Sequence, residues 1–93
     1  MIEILEKAIR HYGRQHQQVK AAEELSELQV AILKCLDGRC NLNNIKEEIA
    51  DVEIMLEQLK KIYAINPEEL KTIKAAKLLR LKGRMEVEVG LQN

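Results

Sequence analysis

Two runs of acids carry the chemistry in this chain. Glu23-Glu24-Leu25-Ser26-Glu27 is followed, after 20 intervening residues, by Glu48-Ile49-Ala50-Asp51, and Glu47 precedes the second run. Residues three and four apart share one helix face, and like charges at those spacings cost a helix about a few tenths of a kcal/mol each. No base offsets Glu27 from the following turn, where Val30 and Ala31 stand, and Asp51 is likewise followed by Ile54 and Met55. If Glu24, Glu27, Glu48 and Asp51 converge, four carboxylates in one pocket demand a cation. A set of oxygens without His or Cys favours a hard ion, Mg2+ with Mn2+ as a substitute, over zinc. The competing reading is a solvated acidic surface in which Lys20 and Lys46 pair with some of these acids. The second cluster, with the same offset and the same missing bases, favours the metal. A di-iron bundle expects a Glu-x-x-His pair on each of two helices, which neither His11 nor His16 supplies.

The acids must be positioned by helices, because helical periodicity runs through nearly the whole chain. A first short helix is expected from about Ile2 to His11, interrupted at Tyr12-Gly13. A second begins near Arg14, carries the stripe Ala21, Leu25, Leu28, Ile32 and Cys35, and stops at Asp37-Gly38. The third carries Ile45, Ile49, Val52, Leu56, Leu59 and Tyr63. Asn44 with Glu47 suits its capping box, and Asn41 would start it one turn earlier. Asn66-Pro67-Glu68-Glu69 opens a fourth helix, expected to last to about Gly83 or Met85, with the tail Glu86 to Val89 as a frayed end. Glu24 adjoins Leu28 and Glu48 adjoins Val52, so the acids should flank the seam if helices two and three pack antiparallel.

Composition bounds the rest. At 93 residues the chain reads as one all-α domain, residues 1–93, of about four helices, short enough that burial against another subunit is expected. Fifteen basic residues balance fifteen acidic ones, and Tyr12 and Tyr63 are the only aromatics. That excludes bulk-charge binding to nucleic acid and the aromatic platforms of single-strand binders. No window approaches the roughly 18 apolar residues of a membrane span. Cys35 and Cys40 are too few for a disulfide framework and are expected as reduced thiols in a cytoplasmic protein.

The EExxE run (Glu23, Glu24, Glu27) followed by ExxD (Glu48, Asp51) and the continuation IADVEIMLEQL resembles the MazG-like, all-α nucleoside triphosphate pyrophosphohydrolases over nearly the whole chain. The resemblance implies hydrolysis of an NTP or dNTP to the monophosphate and pyrophosphate, and a helical bundle completed as a homodimer or homotetramer. It implies magnesium on Glu24, Glu27, Glu48 and Asp51, with Glu23 in a second shell or orienting the attacking water. Lys77, Arg80 and Arg84, on one face of the fourth helix, are candidates to grip the triphosphate, Lys77 and Arg84 being the better matches, although the asparagine common between them in the family is not evident here. Tyr12, His16 and Gln17 are candidates for the base or sugar, and Arg14 lies among them. The alternative is a helical interaction or regulatory module without turnover, distinguished by failure to bind metal.

Overall fold

The computed structural model describes residues 2–92 and contains four helices: α1 (Ile2–Tyr12), α2 (Arg14–Leu36), α3 (Leu42–Ile62) and α4 (Pro67–Gln92). Gly13, with φ 94°, divides α1 from α2 in a conformation only glycine adopts freely. Among the described residues no helix is long and apolar enough to cross a membrane.

The caps follow the sequence with one choice resolved. Asn41, not Asn44, caps α3, its side chain accepting from the Asn44 amide at 3.1 Å. Asn66 accepts from the Glu68 and Glu69 amides at 2.8 and 3.4 Å, ahead of Pro67. Two expectations are corrected. Helix α4 does not fray after Met85 but continues to Gln92, passing through Gly83, with Lys82 and Glu86 paired one turn apart at 3.9 Å. Cys35 and Cys40 are not free thiols but a disulfide. The left-handed Gly38 (φ 77°) and the Arg39 amide, bonded back to the Lys34 carbonyl at 2.8 Å, fold the chain over the end of α2 and return Cys40 to Cys35.

Helices α2 and α3 form an antiparallel hairpin, tied at its far end by the Arg14 guanidinium donating to the Ile62 carbonyl at 2.8 Å, and α1 packs against both. Lys61 and Glu6 pair across α1 and α3 at 3.4 Å. The hairpin seam keeps Ala21 and Val52 of the stripe expected from periodicity, with Leu28, Cys35, Ile45 and Leu59 half-buried, and departs from it elsewhere. On α2 it runs through Gln17, Ala21, Glu24 and Ala31, and on α3 through Val52, Met55, Gln58 and Ile62, whereas Leu25 and Ile32 remain 46% and 47% exposed and Ile49, Leu56 and Tyr63 are also exposed. The seam thus overlaps the expected stripe along part of its width, and α2 and α3 each keep further apolar residues turned outward.

Helix α4 packs against none of the other helices among the described residues, diverging from the body to leave a groove between its first turns and the end of α3. The dimensions are correspondingly elongated, 57 × 38 × 21 Å with a radius of gyration of 17.4 Å, against about 12 Å for a compact chain of this length.

Candidate metal centre

The register of the hairpin assembles the acids. Gln17 on α2 donates its amide to the Gln58 carbonyl oxygen on α3 at 2.8 Å, deep in the seam. Seven residues forward from Gln17 is Glu24, and seven back from Gln58 is Asp51. Three further in the same senses are Glu27 and Glu48. Two turns of α-helix return to the same face after seven residues, so one antiparallel register fixes all three polar pairs. The charges bear this out: Glu24 lies close enough to Asp51, and Glu27 to Glu48, for each to raise its partner's carboxyl. Ala21 and Ala31 bracket the acids on α2, small residues that let the helices approach closely.

Carboxylate oxygens of Glu24, Glu27 and Glu48 lie within 4.8 Å of one another, a grouping able to hold a metal ion. Their surroundings differ. Glu24 is only 6% exposed, Glu48 is half-buried and Glu27 is open to solvent. Lys20, one turn earlier on α2, reaches Glu24 Oε1 at 3.0 Å, whereas Glu24 Oε2 and Glu48 Oε2 are both buried without a hydrogen-bond partner. A buried carboxylate oxygen with no donor is costly. Loss of hydration, and then the negative charges of Glu27, Asp51 and Glu24, push the Glu48 carboxyl above its ordinary range. Asp51 is raised by loss of hydration and by Glu24, with Lys20 opposing. Lys20 is itself held in its charged form by Glu24. Two orphan oxygens in an all-oxygen cluster with raised carboxyls fit a hard cation, and one lysine leaves the negative charge far from balanced.

None of the known protein families, curated proteins or solved structures compared with this chain matches it. The geometry therefore carries the site by itself.

The other sequence candidates are dispersed. Glu23 lies outside the cluster on the solvent side, 4.0 Å from Lys20. Gln17 is in the seam, with the His16 Nδ1 against its carbonyl at 2.7 Å, and Tyr12 stacks on His16 with ring centroids 5.0 Å apart. This polar and aromatic end of α2 begins two turns, about 10 Å, from Glu24. Lys77, Arg80 and Arg84 are exposed on α4 and are not brought to the acids within one chain. Lys46 pairs with no acid among the described residues; Lys20 alone does what a solvated acidic surface would require of both. Three residues that the motif reading passed over line a cleft of about 350 Å³ beside Glu27 and Glu48: Ser26, Lys34 and Asn44. Their signal was spacing, since Lys34 is seven residues after Glu27 and Asn44 four before Glu48.

Proposed function

We propose that this chain is a magnesium-dependent nucleotide pyrophosphohydrolase, cleaving an NTP or dNTP to the monophosphate and pyrophosphate, and that it works as a homo-oligomer, as its resemblance to the MazG-like enzymes implies. The observation that carries the reading is the pair of buried, unpartnered oxygens on Glu24 and Glu48 in a carboxylate cluster set by one helical register.

Glu24, Glu27 and Glu48 hold the cation, and Asp51 adds its charge from beside Glu24. A divalent ion held there would supply charge neutralisation at phosphate oxygens and a lowered pKa for water. Glu27, the exposed member at the cleft edge, orients the water and accepts its proton as the new oxygen–α-phosphorus bond forms and the bond to the leaving pyrophosphate breaks. Glu24 is fixed for its role by Lys20, which occupies one oxygen and leaves the other to the cluster. Glu23, outside the cluster, has no part in this scheme.

Surface area supports the oligomer. The chain exposes 7668 Å², while a compact monomer of its mass would expose about 5,500 Å². Two copies covering the difference would bury about 4,300 Å², within the range of obligate homodimers. Such a partner is also the route by which Lys77, Arg80 and Arg84 would reach a carboxylate cluster.

The test is pyrophosphate release from a panel of NTPs and dNTPs with Mg2+ or with EDTA. Release in Mg2+, abolished by EDTA and reduced about 100-fold or more in Glu27→Gln, is expected. No release from any nucleotide would replace the enzyme with the non-catalytic helical module.

A further inference from the structure

The cleft beside the carboxylates holds a cation that the acids do not explain. Lys34, in the last turn of α2, lines it together with Ser26, Glu27, Val30, Ala31, Asn44 and Glu48. Its nearest acid in sequence, Asp37, is taken by Arg39 at 3.0 Å. Lys34 forms no ion pair among the described residues, as is also true of Lys7, Lys46, Lys74 and Lys77, and of these five it is the one that lines the cleft. Asn44 spends its backbone amide on the Asn41 cap, and its side-chain amide forms no hydrogen bond among the described residues, so two N–H donors remain for a ligand. The cleft thus has two carboxylates at one side, an unpaired ammonium and an amide lining the rest, and Val30 and Ala31 as an apolar wall.

Negative and positive groups in one cleft suit a ligand that is both chelated through a cation and anionic beyond it. We propose that Lys34 binds the phosphate chain of a metal-chelated polyphosphate in this cleft, with Asn44 donating a hydrogen bond, so that the chain's own α2–α3 hairpin grips its substrate at both the metal and the phosphate. This rests on the carboxylate centre described above and deepens it. It assigns to Lys34 a phosphate contact inside one chain, where Lys77, Arg80 and Arg84 need another copy to supply it. Lys34 also stands where a helix C-terminus favours any cation. That role would make it matter to stability alone, and the two roles separate experimentally.

The experiment is calorimetry on the full chain, titrating first Mg2+ and then inorganic pyrophosphate in saturating Mg2+, for the wild type, Lys34→Gln and Lys34→Arg. The proposal expects Mg2+ affinity unchanged in both variants, pyrophosphate affinity lowered about 10- to 100-fold in Lys34→Gln, as for loss of a charge-assisted bond, and retained within a few-fold in Lys34→Arg. Unchanged pyrophosphate affinity in Lys34→Gln overturns it, as does an equal loss of Mg2+ affinity. Wild type that binds Mg2+ but not pyrophosphate refutes the Lys34 assignment alone, whereas wild type that binds no Mg2+ refutes the carboxylate centre and this inference with it.

Discussion

Glu24 fills a place in the α2–α3 seam where an aliphatic side chain would pack without charge, and it leaves one oxygen there with no donor. Glu48 and Asp51 bind their protons more tightly in the folded chain than in the unfolded one, because both are dehydrated among other carboxylates. The stability they contribute is therefore fully present below the ordinary carboxylate range and is lost as pH rises through their folded values. In metal-free solution, thermal unfolding of Glu48→Gln should depend less on pH than that of the wild type between pH 4 and neutrality, and the variant should be the more stable at pH 7. Mg2+ at about 100 times its dissociation constant should add about 2.7 kcal/mol to the wild type at pH 7, and much less to the variant. Equal Mg2+ responses in the two proteins would separate Glu48 from the cation. The identity of these acids was legible in their offsets, but their depth was not. Periodicity of leucine and isoleucine placed them at the edge of the seam; the structure buries Glu24 inside it, half-buries Glu48 and leaves Glu27 and Asp51 exposed, because Gln17 and Gln58 pair across the hairpin and Leu25, Ile32 and Leu56 stay outside.

At the scale of the element, the hairpin connection holds the register on which the centre depends. Glu27 stands eight residues before Cys35 and Glu48 eight after Cys40, so the disulfide closes the turn midway between these two members of the carboxylate cluster. Closing a loop this short stabilises a fold by about 2 kcal/mol in the chain-entropy account, and loss of the Asn41 cap costs about 1 kcal/mol. Cys35→Ser/Cys40→Ser and Asn41→Ala should therefore each lower the urea midpoint with little change in slope. A doubly substituted chain as stable as the wild type would show that the disulfide constrains nothing. Helix boundaries were readable wherever a side chain makes the cap, as at Asn66 and Pro67. The disulfide was not, since two cysteines five apart show no pattern until Gly38 turns the chain back on itself. The end of α4 was also missed, because the Glu86 to Val89 alternation resembles a strand when Gly83 is taken as a stop; with Gly83 in a helical conformation, the Lys82–Glu86 pair spans it.

The whole molecule is a hairpin with a short helix packed on it and a long helix projecting from it, and many of its large apolar side chains are exposed. The outward residues of α2 and α3, among them Leu25, Ile32, Ile49 and Leu56, form the second face that the periodicity had assigned to the interior. About half of the sequence stripe is thus exposed in the single chain, and the proposed oligomer would cover it between copies. Sedimentation at micromolar concentration should give a mass of at least twice 10.7 kDa, and Leu25→Lys/Leu56→Lys should shift it toward the monomer; a wild type that sediments as a monomer would contradict the oligomer. The central claim is that Glu24, Glu27 and Glu48 together hold a divalent cation, and the most direct measurement is anomalous diffraction from crystals grown in Mn2+. The account predicts an anomalous peak about 2.1 Å from oxygens of all three residues. A map with no peak there, and Glu24 still bound only by Lys20, would contradict it.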